Sequence, residues 1–319
     1  MQSIHDIVLP FRYVQGVYSD VACADGESWV TSTDLFPHPA VRAKMFAART
    51  GDLAASAFPD ADQESVILVN RWILWTLGVD DYFDQFPLED RIQAYDAVLG
   101  NVEELLSDEA IARPTHPLTR SLMELWHTTC PPMSHAWQDH FRADTLKYLT
   151  SMRVEAEFLN KTRQNSLDIY VPLRRDTFWC RAAIDLVARV EQADAVEIVY
   201  SSEEYQELCA AAADVGAWTN DFCTAQRELS AGEAFNLPAL LMRNHGYEFS
   251  YAASCTLRMI QDRLSDLLGF KAALLERPEV QALPAEQASQ MRRCLKGVEN
   301  WVAANHEWHC KSLRYRSST

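Results

Sequence analysis

Apolar residues recur every three or four positions through most of the chain, and the interruptions fall at proline, glycine or short polar clusters. Residues 1–36 lack this period, mixing aromatic and polar residues around Pro10 with Pro37 and Pro39 just beyond, and are expected to be irregular. The pattern then predicts a helix over 40–49 stopped by Gly51, and a turn over 58–62 in which Asp62 caps a long apolar helix. That helix runs through Trp72 and Trp75 to Asp84, and Pro87 closes the region. Further helices are expected over 88–106 and 117–129, separated by a proline-bounded break at 113–117, and over 134–161 after Pro131-Pro132. Pro172, one turn before Arg174-Arg175, suggests a helix entry or a break, followed by an apolar helix to Arg189. A capping-box spacing at Ser201 and Glu204 opens a helix over 201–229, which Gly232 ends. The remaining helices are 236–243, turned at Gly246, then 249–275 and 284–311. With no repeat, low-complexity stretch or linker, residues 1–319 are expected to form one all-α domain, a bundle of about ten to twelve helices.

Composition agrees with helix over sheet: only 10 glycines, frequent Ala, Leu and Glu, and few runs of Val or Ile. Forty-five acids against 29 bases give a net charge of −16, which argues against nucleic acid or an anionic membrane as partner. An anionic small molecule is not excluded, because a site needs only local cations or bound metal. None of the 8 cysteines is paired at CxxC spacing, so neither a zinc site nor a redox pair is indicated. Residues 1–14 contain no apolar signal core, and Asn70-Arg71 interrupts the longest apolar run before it reaches the ~20 residues of a membrane span. A cytoplasmic protein with reduced thiols is expected.

The candidate chemistry lies at two places. Asp80-Asp81-Tyr82-Phe83-Asp84 sets Asp80 and Asp84 one above the other on a helix, with Asp81 beside them. Carboxylates this close repel unless a cation or donor sits among them. Later, Asn220, Thr224 and Glu228 are spaced i, i+4 and i+8, so an amide oxygen, a hydroxyl and a carboxylate share one helix face. Oxygen ligands of this kind suit Mg²⁺, which completes its octahedron with water and substrate phosphate. Each row alone is compatible with a solvated helix surface; the pair, with basic residues nearby, points to a diphosphate gripped through metal. His306, His309 and Cys310 also cluster on the last helix, but no fourth ligand is in view and no metal is assigned to them.

These motifs resemble the class I terpene synthases, in the form of the bacterial cyclases. Asp80-Asp81-Tyr-Phe-Asp84 is similar to the family's aspartate-rich motif, and Asn220-Asp221-x-x-Thr224-x-x-Arg227-Glu228 to its second metal motif. Arg174 stands 46 positions before Asn220, the place of the family's diphosphate-sensing arginine, and Arg314-Tyr315 matches its C-terminal Arg-Tyr pair. Phe58-Pro59-Asp60-Ala61, Asn236-Leu237 and Trp301 with Trp308 extend the resemblance over nearly the whole chain.

The resemblance implies a single-domain α-helical bundle of the class I terpenoid synthase type with three Mg²⁺ ions at its mouth. Asp80 and, less often, Asp84 would hold two ions; Asn220, Thr224 and Glu228 would hold the third. Asp81 would bond to Arg174 after closure, while Arg174, Arg227, Arg314 and Tyr315 would donate to the diphosphate. Trp75, Thr76, Leu77, Phe83, Thr177, Phe178, Trp218 and Trp308 are the candidate pocket residues, with Trp179 and Trp301 as further aromatics. Two positions depart from the family's habit: Thr76 and Leu77 replace aromatics, and Phe178 stands where relatives commonly have glycine. The expected activity is ionisation of a linear isoprenyl diphosphate, farnesyl first and geranylgeranyl next, and cyclisation to a hydrocarbon or alcohol. A linear terpene alcohol synthase, a chain-elongating prenyltransferase and a non-enzymatic all-α interaction protein are the rival readings. Relatives of the family are often dimers, so a homodimer is one candidate assembly.

Overall fold

The computed structural model describes residues 3–107, 114–160, 166–193, 197–231 and 235–315, and among them every regular element is a helix. The fold comprises two compact units, Val14–Thr162 and Met1–Tyr13 with Arg163–Thr319. The first holds α1 Ser19–Thr33, α2 Pro39–Ala47, α3 Thr50–Ala57, α4 Gln63–Asp84, α5 Arg91–Leu99, α6 Val102–Leu105, α7 Pro117–Thr129 and α8 His135–Asn160. The second holds α9 Leu167–Thr177, α10 Cys180–Val190, α11 Glu197–Tyr200, α12 Glu203–Ala231, α13 Leu237–His245, α14 Phe249–Glu276, α15 Pro278–Gln281 and α16 Ala285–Lys311. Single 3₁₀ turns at Ile4–Asp6 and Leu313–Tyr315 also belong to it. No described helix is long and apolar enough to cross a membrane.

The first unit is built around α4. Asp62 caps it, accepting from Ser65 N at 2.7 Å, and satisfies one of the donors that every helix start leaves open. Asn70 and Arg71, which break its apolar run, fasten it to α1. Asn70 is fully buried; its amide donates to Ala22 O at 2.7 Å while its oxygen accepts from Thr50 Oγ1 at 2.7 Å. Arg71 makes a forked pair with Asp25 at 2.8 and 2.9 Å. Beyond them Trp72 and Trp75 pack with Phe141, Trp126 and Trp137 into an aromatic core. In the second unit α12 is central, flanked by α14, α16, α13, α10 and α9. Its buried Asp214 is clamped by Arg175 from α9 and Arg263 from α14, all at 2.8 Å.

Several boundaries differ from the sequence expectation. The supposedly irregular 1–36 contains the fifteen-residue helix α1, whose buried face is Ala22, Gly26, Trp29, Val30 and Thr33. Its spacing is helical, but three of those residues are too small or polar to register as a hydrophobic stripe. Gly51 is no stop: it lies in the first turn of α3, where a Cβ would come within 2.7 Å of Ser19 O and Cys23 N on α1. The actual break is Arg49, at φ 51°. The helix expected over 88–106 is divided into α5 and α6 at Gly100-Asn101, both weak helix formers. Pro172 lies inside α9 at an exposed position, so the Asp168 carbonyl that loses its helical donor is open to solvent, and the chain breaks instead at Trp179, φ 56°. Ser202 rather than Ser201 caps α12, accepting from Tyr205 N at 3.3 Å. With one-turn α6, α11 and α15 the described residues hold sixteen α-helices rather than ten to twelve. Arg113, Lys161 and Gly232, invoked above as boundaries, lie outside the described residues.

Candidate active site

The aspartate-rich motif occupies the last turn of α4. Val79 and Phe83 are buried, and Phe83 packs on Tyr95 with ring centroids 5.4 Å apart. The helix therefore turns its acids to the other side: Asp80 and Asp81 are half-buried and Asp84 is exposed. A helix C-terminus carries negative partial charge, so acids here raise the free energy by roughly 0.3–1 kcal/mol each unless a cation offsets them. Arg91 supplies one such cation, pairing with Asp84 Oδ1 at 3.0 Å and reaching the Asp84 carbonyl at 3.4 Å.

The second row lies on α12. Asn220 Oδ1 accepts from Arg174 Nη2 of α9 at 2.9 Å. The Asn220 amide nitrogen donates to Tyr315 OH at 3.1 Å and meets His309 Nε2 at 3.2 Å. Glu228 accepts from Asn236 Nδ2 at 3.0 Å and lies 3.6 Å from Arg227, whose other nitrogen reaches Arg314 O at 3.4 Å. Between them, Thr224 is 3% exposed, and its hydroxyl has no hydrogen-bond partner among the described residues. The next residue after Asn220 is a hub: Asp221, 1% exposed, accepts from Arg174 Nε at 2.9 Å, from Leu237 N at 3.0 Å and from the Tyr170 hydroxyl. It thereby ties α9, α12 and the start of α13 together and aims the Arg174 guanidinium.

His309, Asp221, Tyr170 and Asn236 were not singled out for a role by the sequence. His309 is buried beneath Tyr315, with which it stacks at 4.6 Å. Burial pushes its imidazole down to about 3, with Arg174 and Arg314 acting in the same direction, so it is neutral at ordinary pH. No local signal marks it, since the carbonyl 2.8 Å from Nδ1 is the backbone oxygen of Asn305, which any side chain at that spacing would meet. Of the trio set aside above, His306 lies 3.1 Å from Ile4 O through Nε2 and 3.9 Å from Cys310 Sγ through Nδ1, while His309 turns to Asn220.

The candidate pocket residues separate into core and site. Trp75 has no accessible surface, and its indole N–H is spent on Leu118 O at 2.9 Å; it is a core residue and cannot face a cavity. Thr76 and Leu77 are half-buried, the Thr76 hydroxyl bonding Ile73 O at 2.8 Å, and Phe83 is buried on Tyr95. Thr177 Oγ1 lies 3.4 Å from Arg174 Nη1. Phe178 sits 5.7 Å beneath the Arg174 guanidinium and against Gly216 of α12, where a Cβ would meet its Cε1 at 2.5 Å. The bulk gained at Phe178 is thus absorbed by a glycine one turn before Asn220. Trp218, Trp179 and Trp301 are buried, and Trp308 stands edge-on to His309 and Tyr315. A separate cavity lined by Tyr200, Tyr205, Met291 and Cys294 includes none of the candidate residues.

Comparison with known proteins identifies the family and the fold. Residues 71–266 match the model of terpene synthase family 2, C-terminal metal binding. The chain is 27% identical to a (−)-δ-cadinene synthase of Streptomyces clavuligerus, over 93% of this chain and 91% of that protein. It is 23% identical to a (+)-T-muurolol synthase, named as cyclising (2E,6E)-farnesyl diphosphate, of Roseiflexus castenholzii, over 97% and 93%. Its fold is shared with the crystal structure of germacradien-4-ol synthase from Streptomyces citricolor, with a TM-score of 0.84 at 19% identity, over 95% of this chain and 97% of that one.

Proposed function

The chain belongs to terpene synthase family 2, and from that premise we propose that it takes a linear isoprenyl diphosphate, farnesyl diphosphate ahead of geranylgeranyl diphosphate, and cyclises it to a hydrocarbon or alcohol with release of diphosphate. The observation that carries the reading is the Thr224 hydroxyl. A helical threonine ordinarily gives its hydroxyl to the carbonyl four residues back, yet this one is buried with no partner among the described residues, midway along a row of oxygen donors. Leaving a buried hydroxyl unsatisfied costs about 1–3 kcal/mol, which a ligand at that row would recover. Amide oxygen, hydroxyl and carboxylate together form a hard donor set that fits magnesium.

Asn220, Thr224 and Glu228 would hold one Mg²⁺ and Asp80 with Asp84 two more, supplying positive charge to the leaving diphosphate. The chain's own part is to aim donors and keep the site dry. The allylic C–O bond breaks with its electron pair going to the diphosphate, and Arg174, Arg227, Arg314 and the Tyr315 hydroxyl meet that charge as it develops. Asp221 orients the first of these through Nε. The carbocation left behind survives only where no water or nucleophile reaches it. The Phe178 ring, already in a cation–π arrangement with Arg174, offers positive charge a face that does not react.

The test is product analysis. Purified protein is incubated with Mg²⁺ and the ten-, fifteen- and twenty-carbon diphosphates in turn, and volatiles and released diphosphate are measured. A cyclic fifteen-carbon product is expected. Longer prenyl diphosphates would establish elongation instead, and absence of turnover with all three would leave an interaction protein.

A further inference from the structure

We propose that His309 is a positioning residue that fixes which end of the Asn220 amide is presented as a ligand; the inference rests on the reading of Asn220 as a metal ligand. A side-chain amide has one acceptor end and one donor end, and only the oxygen can bind a cation. Rotation by half a turn would exchange them, so an asparagine ligand needs partners that tell the ends apart.

His309 supplies that discrimination through its tautomer. Its Nδ1 lies 2.8 Å from Asn305 O. A carbonyl only accepts, so the ring proton is on Nδ1, and Nε2 carries a lone pair. That lone pair lies 3.2 Å from Asn220 Nδ2. The amide's second N–H is taken by Tyr315 OH at 3.1 Å. Both donors are thus consumed on the α16 side, and Oδ1 is left facing the Arg174 guanidinium at 2.9 Å. Flipping the amide would set Oδ1 against the Nε2 lone pair and the NH₂ group against a guanidinium, losing two hydrogen bonds for two like-with-like contacts, while the Tyr315 hydroxyl can serve either end. Stacking on Tyr315 and burial keep the imidazole from turning away. With its lone pair spent on Asn220, His309 does not serve as a proton acceptor for the carbocation.

The chain Asn305 carbonyl, His309, Asn220 has the form of an outer-shell relay, whose loss generally weakens metal affinity about 10–100-fold. The test titrates Mg²⁺ calorimetrically in the presence of inorganic diphosphate. His309→Phe keeps a ring for Tyr315 but removes the acceptor, and is expected to weaken Mg²⁺ binding about tenfold or more. His309→Gln can return an acceptor near the Nε2 position and is expected to recover most of the affinity. A merely structural role would instead track thermal stability in both variants. In the unmodified protein, ¹⁵N spectra of the imidazole should report the Nδ1–H tautomer; an Nε2–H tautomer would overturn the proposal even if neither variant folds. Affinity unchanged in His309→Phe, while Asn220→Ala still weakens binding, would also overturn it and leave the metal reading standing. Affinity unchanged in Asn220→Ala and Glu228→Ala as well would remove the metal reading and the proposal with it.

Discussion

Arg174 holds Asn220 Oδ1, the oxygen assigned above to a metal ion, which makes substitution of this arginine a two-signed experiment. In Arg174→Met a side chain of similar length remains, but the bonds to Asp221 at 2.9 Å, to Asn220 at 2.9 Å and to Thr177 at 3.4 Å are lost. Asp221 keeps the Leu237 N–H and the Tyr170 hydroxyl, so its carboxylate is not orphaned and the fold should survive. A hydrogen bond to a charged group contributes about 1.5–3 kcal/mol. Freeing Asn220 Oδ1 of it should therefore tighten Mg²⁺ binding to the diphosphate-free protein roughly ten- to hundredfold. Turnover should move the opposite way. Loss of a donor aimed at the leaving group typically lowers the rate about 10²–10³-fold. The assay is a pair of calorimetric Mg²⁺ titrations, without and with inorganic diphosphate, beside steady-state turnover. The gain in affinity should appear only without diphosphate, because the anion itself draws the guanidinium off Asn220 in the unmodified protein. An unchanged or weaker affinity in the diphosphate-free variant would refute the reasoning.

Other expectations follow from single contacts. Asp80→Ala and Glu228→Ala should each abolish turnover while circular dichroism shows full helical content, and product formation in both would contradict the metal assignment. Gly216→Ala should displace the Phe178 ring, altering the product mixture, and Phe178→Ala should relieve the strain in the double variant, as read from product profiles and melting curves. Trp75→Phe should lower stability by about 1–3 kcal/mol through loss of the Leu118 bond and packing, read as a lower melting temperature with no change in product profile. Asp214→Asn, which leaves Arg175 and Arg263 facing a neutral group, should destabilise by about 3–5 kcal/mol, measured by denaturant titration.

What the sequence discloses is governed by range. The Asp62 cap, the helix ending in Asp84 and the α12 row are set by residues a few positions apart, and each is legible from periodicity and capping alone. Arg174 is legible only through its spacing from Asn220 within a resemblance, since periodicity does not pair α9 with α12. The Asn220–His309 contact spans 89 positions and depends on the phase of α16 against α12, which no local pattern encodes. The Phe178–Gly216 exchange is hidden for a related reason: each residue looks anomalous or inert alone, and the pair makes sense only in contact. Helix α1 escapes notice because its buried face is made partly of Gly26 and Thr33, which close packing rather than hydropathy places inside.

At least three of the five proposed ligand residues have a partner from the chain itself. Arg91 sits on Asp84, Arg174 on Asn220, Asn236 and Arg227 on Glu228. Acids at the C-terminal end of α4 and a carboxylate beside a buried hydroxyl on α12 would otherwise be costly in the ligand-free protein. Internal donors therefore stabilise these oxygens and, by the same contacts, would compete with metal for them. On the proposed reading diphosphate would reverse that competition, because a guanidinium prefers an anion to a neutral amide oxygen. Linkage then requires that diphosphate and Mg²⁺ each raise the other's affinity by the same factor. A site arranged this way would ionise nothing until substrate and metal were both present, which is the order that carbocation chemistry in a water-excluding enzyme demands.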